Sequence, residues 1–512
     1  MKIYINGNIY DDGNYHEALV EDKGKIIYIG SNEIAKGYGS NYIDLENNYV
    51  LPGFNDSHMH LLGYGQFLAN LDLSKHTSSL KELLAYVKDN IEGRKWVIGR
   101  GWNHDYFSDY DGYVTKDHLD AISKDVPIFL TRACGHVAVV NSKAIELIKL
   151  KEIDGGSFDL ETGLFKENAV DLIKASLPAL TIKDIEEYII KAQEKLNSYG
   201  ITSVQTDDFL SIPASYEDII KAYQNLEKEN KLTVKVYQQA QLITPQAIKE
   251  FKAKGYSNQY GSKMFKIGPI KIVSDGSLGA RTALLSKPYH DLNTTGMSLY
   301  SEEYLRELVK CAIENDYPLA IHTIGDKSLD WILKAIKDYN NKELRHGLVH
   351  VQVTRLDQLE LIKQLKLHCY VQTIFIDYDS KIVETRLGTE RANSSYQFKY
   401  LYENTTLSNG SDCPVENPNV MLGIQLAITR KSPTSNKPYL KQQALTRKQA
   451  INSFTINGAY ASLEENTKGL LKVGMDCDFV VIDQDIMTIK EDKIKDIKIL
   501  KTFINGKQVY GE

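Results

Sequence analysis

A (β/α)8 TIM barrel of the α/β class, carrying a small β-sandwich built from both chain termini and an insertion after the first barrel strand, is the fold this 512-residue chain predicts. Three observations predict it. Short apolar runs alternate with capped amphipathic segments through the middle of the chain, eight such runs can be counted, and each end carries a strand-and-turn pattern too short to bury a core alone.

The first fifty residues read as strands over 2–6, 9–11, 18–21, 25–29 and 42–45, parted by turn pairs such as Asn6-Gly7 and Asp12-Gly13. The far end offers the partners, 469–474, 477–483 and 501–507. Residues 1–50 and 460–512 are therefore expected to form one composite sandwich, leaving 51–459 for the barrel. Within the barrel region, Thr181 caps a helix whose apolar positions are Ile185, Ile189, Ala192 and Leu196; Gly200 stops it and 201–205 becomes a strand. Ser301 opens a second helix that leads through Pro318 into the strand 319–322, and Thr354 opens a third after 348–350. Counted this way, strands end near Phe54, Gln205, Gln239, Val273, His322, His350, Gln372 and Gly410. The stretch 61–178 does not fit the alternation. It is expected to be an insertion or lid above the barrel mouth, as long excursions in compact folds commonly are.

Composition narrows the function classes. With 42% apolar and 25% charged residues and a net charge of −6, the chain is that of a globular protein with no basic surface for nucleic acid. No apolar h-region opens it and no run approaches a membrane span, so a cytoplasmic protein without membrane contact is expected. Five cysteines without a CxxC spacing argue against disulfides and a thiolate zinc site. Cys134, Cys311, Cys369 and Cys477 read as buried small residues, and Cys413 as a pocket wall beside Asp412.

In a (β/α)8 barrel the site lies at the carboxyl ends of the strands, so the polar residues there carry the reading. His58 and His60 follow the first strand at i and i+2, which puts both imidazoles on one side of an extended segment. Lys271 lies in the fourth strand, His322 ends the fifth, His350 ends the sixth and Asp412 follows the eighth. Four histidines, a lysine and an aspartate on one ring can hold one or two divalent ions, zinc first among them. Alternation turns Lys271 inward. Burial favours its free amine, which can add carbon dioxide and become a bridging carbamate; an ion-paired structural lysine is the competing reading. His346 sits at the wrong end of its strand, and His16, His76, His104, His118, His290 and His368 read as surface or supporting residues.

Longer motifs add to the single residues. The stretch Leu51-Pro52-Gly53-Phe54-Asn55-Asp56-Ser57-His58-Met59-His60 and the tail 474–483 resemble the metal-dependent amidohydrolase superfamily over nearly the whole chain. Lys271-Ile272-Val273-Ser274-Asp275-Gly276-Ser277-Leu278-Gly279-Ala280-Arg281, His322-Thr323-Ile324-Gly325-Asp326 and Ser411-Asp412-Cys413-Pro414-Val415 resemble its YtcJ-like branch, which contains N-substituted formamide deformylase. Gly101-Trp102, Gly135-His136, Asn141-Ser142 and Gly163-Leu164-Phe165-Lys166-Glu167 match the same branch. The resemblance implies a hydrolase of non-peptide carbon-nitrogen bonds that uses metal-activated hydroxide. Its implied ligands are His58, His60, His322 and His350, with a carboxylated Lys271 or Glu167 as bridging candidates and Asp412 as ligand and acid/base. Two departures stand out: 155–163 is shorter than usual, and Thr323 follows His322 where Ala is common.

Trp102, His136, Glu167, Asp275 and Arg281 are the candidates for lining the substrate pocket. A small-molecule substrate is the expected partner, with a homo-oligomer left open. Two other readings compete: a mononuclear deaminase on the same barrel, for which an unmodified Lys271 would speak, and a noncatalytic scaffold that lost its metal.

Overall fold

The computed structural model describes residues 1–11, 13–133, 136–151, 156–339, 341, 343–435 and 437–512. Asp12, Cys134, Gly135 and Gly155, each used in the sequence reading, lie outside them. The chain divides into two compact units, one of Met1–Gly63 with Ala192–Glu512 and one of Tyr64–Lys191.

The first unit contains the barrel. Its eight strands are β1 (Phe54–Met59), β2 (Ile201–Thr206), β3 (Lys235–Gln241), β4 (Phe265–Val273), β5 (Leu319–Thr323), β6 (Gly347–His350), β7 (His368–Val371) and β8 (Thr406–Asn409), each parallel to the next. The sheet closes just beyond β8, where Asp412 N donates to His58 O and His60 N donates to Cys413 O, both at 2.8 Å. The parallel ladder with intervening helices is the arrangement the alternating pattern anticipates.

β1 is the exception to the expected strand ends. It begins at Phe54 instead of ending there. The apolar run before it forms a different strand, Tyr49–Pro52, which pairs with Phe479–Ile482 of the terminal sheet. Residues 55–58 are polar and carry no apolar alternation, yet all are buried inside the barrel. They are tolerated there because they have partners: Asn55 Nδ2 donates to Ser203 Oγ at 2.6 Å and Ser408 Oγ donates to Ser57 Oγ at 2.8 Å.

The caps follow the same logic of local partners. Thr181 and Asp184 bond reciprocally at the start of Ile182–Asn197, and Ser301 Oγ accepts from Tyr304 N ahead of Glu302–Glu314. The third cap differs from expectation. Thr354 spends its hydroxyl on Ser394 O, and Arg355 takes the N-cap position of Leu356–Gln364, its N–H donating to Gln358 Oε1 at 2.9 Å.

A four-stranded sheet from the N-terminal end lies beside a six-stranded one in which the ends meet: Tyr49–Pro52 pairs with Asn8–Asp11 on one side and with Phe479–Ile482 on the other. Tyr4, Leu19 and Ile26 from one sheet pack with Ile9, Val50, Phe479, Val481 and Phe503 from the other in a shared core. The tail motif joins this sandwich to the base of the barrel. Lys235 at the start of β3 is buried against Asp476 (2.6 Å) and Asp478, and Lys25 and Lys263 also reach Asp476 at 2.7 and 3.0 Å. Cys311, Cys369, Cys413 and Cys477 are buried free thiols.

The unit Tyr64–Lys191 has its own six-stranded mixed sheet and two apolar clusters, one around Leu83, Val97, Trp102 and Leu130 and one around Phe129, Val140 and Phe165. Among the described residues, no helix is long and apolar enough to cross a membrane.

Candidate metal centre

β1 and the turn after β8 bring three ligand atoms together. His58 lies within β1, His60 directly follows it, and Asp412 sits in the turn after β8. Asp412 Oδ1 is 3.4 Å from His58 Nε2 and 3.1 Å from His60 Nε2, and the three donors lie within 4.8 Å of one another. His350 and His322 complete an imidazole cluster: ring centres are 5.7 Å apart for His58 and His350 and 4.5 Å for His322 and His350. Lys271 is 2% exposed, its Nζ 3.4 Å from His58 Nε2. His58, His60 and Asp412 thus form one three-donor set, with Lys271, His350 and His322 beside it.

Hydrogen bonds decide which nitrogen of each ring is free. Gln239 Nε2 donates to Ser57 O, which leaves its Oε1 to accept from His58 Nδ1 at 2.8 Å. His60 Nδ1 donates to Asp207 O at 3.0 Å, and His350 Nδ1 to Gln372 Oε1 at 2.7 Å. In each case Nδ1 is spent on the protein and Nε2 is the nitrogen left to face the site, as in a metal-ligating histidine. His322 is turned the other way. Its Nε2 donates to Gly276 O at 3.2 Å, with Asp275 Oδ1 at 3.5 Å, so Nδ1 is its free nitrogen.

The charges suit a cation. Burial and the Lys271 ammonium push His58 down and His322 to about 3, and burial with the His322 ring beside it pushes His350 well below the usual histidine range. Burial also opposes charge on His60, yet its bond to Asp412 and the nearby Asp207 carry it up to about 9. Asp412, though buried, is held well below the ordinary carboxylate range by its contacts with His58 and His60. An ionised carboxylate beside the neutral imidazoles of His58, His322 and His350, and beside a His60 whose Nε2 proton a cation would displace, is a donor set that fits a divalent ion. Two members hold left-handed backbone, His350 at φ 76° and Asp412 at φ 58°, a conformation costing about 1–3 kcal/mol at a non-glycine residue and concentrated where function needs an exact side-chain direction.

The pocket candidates separate into three groups. Trp102 is a core residue of its own unit, fully buried with Nε1 donating to Leu130 O, because its ring fills the cluster around Leu130. His136 and Glu167 are exposed in that unit and bonded to each other at 2.9 Å. Asp275 and Arg281 hold the loop after β4 together: Asp275 accepts from Leu284 N, Ile324 N and Gly325 N, and Arg281 pairs with Asp291 through both of its forks. Burial raises the Asp275 carboxyl to about 7 despite those three donors. Asp275 is therefore a support for His322. His346, left out of the ligand set, is buried with no hydrogen-bond partner among the described residues for either ring nitrogen, and His368, expected as a surface or supporting residue, is buried between Thr406 and Ser408.

The sequence reading missed Asp207, Gln239, Gln372 and Asp56. Asp207 Oδ2 holds Lys271 Nζ at 3.0 Å while its backbone carbonyl fixes His60. Its position just past β2 was the available signal, since the carboxyl end of every barrel strand faces the site. Gln239 lies near the end of β3 and Gln372 directly follows β7.

The comparisons with known proteins agree with this geometry. The amidohydrolase family pattern matches residues 41–510. YtcJ of Bacillus subtilis (strain 168), a putative amidohydrolase, is 32% identical over 531 residues, covering 99% of each chain. The crystal structure of an uncharacterized metal-dependent hydrolase from Pyrococcus horikoshii superposes with a TM-score of 0.82 at 33% identity, over 96% of this chain and 99% of that one. N-substituted formamide deformylase of Arthrobacter pascens is 21% identical over 522 residues, covering 96% and 94%. A barrel closed around two histidines at the end of β1 and a carboxylate, matched by the family pattern from residue 41 to residue 510, makes this chain a member of the amidohydrolase family.

Proposed function

We propose that the chain hydrolyses a carbon-nitrogen bond of amide or N-formyl type, other than a peptide bond, in a small-molecule substrate, with one or two zinc ions held by His58, His60, His322, His350 and Asp412. The observation that carries the proposal is the convergence of His58 Nε2, His60 Nε2 and Asp412 Oδ1, each imidazole fixed through its other nitrogen. The relatedness to N-substituted formamide deformylase supports the choice of bond. A zinc ion at such a set lowers the pKa of water toward 7 and polarises a carbonyl.

The chain's own groups supply the rest. Asp412 is ionised and sits at the mouth, so it orients the attacking water, accepts its proton and delivers that proton to the leaving nitrogen. His58, His350 and His322 stay neutral and keep their ligand nitrogens directed by Gln239, Gln372 and Gly276 O. Asp412→Asn keeps size and weak ligation but cannot accept the proton. Metal content should persist while kcat on an N-formyl or amide substrate falls by roughly 10²-fold or more; near-normal kcat in the fully metallated variant would remove the shuttle role.

One contact favours a second reading. Carboxylation would make Lys271 a bridging anion for two ions, but Asp207 Oδ2 stands 3.0 Å from its Nζ and favours an ammonium there. An ammonium goes with a single ion, the arrangement of a mononuclear deaminase. Metal stoichiometry and the intact mass in bicarbonate distinguish the two.

A further inference from the structure

Asp56 lies two residues before His58 in β1 and is buried. Its Oδ1 accepts from Ser411 N at 3.0 Å and from His58 N at 3.3 Å, and its Oδ2 accepts from Ser411 Oγ at 2.5 Å. Ser411 immediately precedes Asp412, and its Oγ also accepts from Cys413 N at 3.1 Å. The preceding residue must be glycine: a Cβ on Gly410 would lie 2.5 Å from His58 N and 2.8 Å from Asp56 Oδ1. Asp56 therefore ties the turn that carries Asp412 to the strand that carries His58.

The tie has a physical purpose. Asp412 is left-handed, a conformation that an aspartate leaves readily once nothing holds it. Release toward the right-handed or extended region would swing the carboxylate away from the two Nε2 atoms. We propose that Asp56 and Ser411 are positioning residues whose contact sets the separation of Asp412 from His58 and His60, and that this separation sets the affinity of the site for a divalent ion.

The proposal rests on the metal reading above, and its test separates the two. Metal-free full-length protein is titrated with zinc alone, by competition with a chromophoric chelator, for the wild type, Ser411→Ala, Ser411→Thr, Asp56→Asn and the Ser411→Ala/Asp56→Asn pair. Ser411→Ala and Asp56→Asn should each weaken zinc binding by roughly 10- to 100-fold, the usual effect of removing a residue that orients a ligand. Ser411→Thr, which keeps the hydroxyl, should recover most of the loss. The double variant should be little worse than either single one, because both remove one contact. In turnover, the single variants should lose kcat with KM retained at saturating zinc.

Wild-type affinity in Ser411→Ala, or single losses that multiply in the double variant, would overturn the proposal. If Asp56→Asn does not fold, the contrast between Ser411→Ala and Ser411→Thr decides by itself. A wild type that takes no zinc would overturn the metal reading together with the proposal, whereas equal binding by wild type and Ser411→Ala would overturn the positioning role alone.

Discussion

The two ends of the barrel bury charge in opposite ways. At the base, Lys235 lies between Asp476 and Asp478, and Glu464 accepts from Lys266 and Lys468. At the mouth, His58, His350 and His322 each spend one ring nitrogen on a protein partner and hold the other in reserve. Both ends are polar and enclosed, so burial of polar groups does not by itself mark a functional site. What separates them is ligand capacity: the base is closed by charge pairing, while the mouth leaves one nitrogen of each of these rings unspent.

The largest effect should come from removing the reserve. His58→Ala/His60→Ala is expected to lower bound metal to background by plasma emission and to abolish hydrolysis while the fold persists, because the base is untouched; full metal occupancy in that variant would erase the contrast. Next in size is the base. Lys235→Ala takes the ammonium from buried Asp478, while Asp476 keeps Lys25 and Lys263, and removal of one partner from a buried pair costs about 3–5 kcal/mol. Chemical denaturation should show that loss, with zinc affinity of the folded protein unchanged; a parallel loss of zinc affinity would mean that the two ends are coupled.

The smallest effect concerns pH. Burial opposes ionisation of Glu464, but the ammonium groups of Lys468 and Lys266 bring its carboxyl down to about 2, below its ordinary value near 4.5. A carboxyl lowered on folding stabilises the fold above its unfolded pKa and loses that contribution as pH falls through the folded value. Stability at the base should therefore decline progressively from about pH 5 to pH 2, with a contribution of order 1–3 kcal/mol given that Lys468 is itself burdened by burial. Glu464→Gln should flatten this part of the curve of melting temperature against pH. An unchanged slope would place the acid sensitivity elsewhere.

The sequence displays the mouth better than it displays what supports the mouth. His58 and His60 stand out because i, i+2 imidazoles beside a Pro-Gly break are rare, and Lys271, His322, His350 and Asp412 because each falls at a strand end that the alternating pattern locates. Asp56 and Asp207 look like loop residues, since only a partner far along the chain makes a buried carboxylate acceptable: Ser411 for one, Lys271 for the other. The same blindness works in reverse for Trp102 and Asp275. Their motif neighbours suggest a pocket, whereas Leu130 O and the backbone N–H groups of Leu284, Ile324 and Gly325 engage them as supports. Periodicity reports the face a residue occupies, not who will meet it there.

The closure of the sheet beyond β8 also sets an order of events in the making of the molecule. His60 and Asp412, 3.1 Å apart in the finished barrel, are separated by 352 positions along the chain. At about 5–20 residues per second, roughly 20–70 s pass between the synthesis of the one and of the other. Through that interval the histidines at the end of β1 exist without their carboxylate, and a nascent or prematurely ended chain that lacks Asp412 carries two imidazoles without the third member of the donor set. The proposed chemistry at the barrel mouth thus waits until the last strand is laid beside the first, in chains that have completed the barrel.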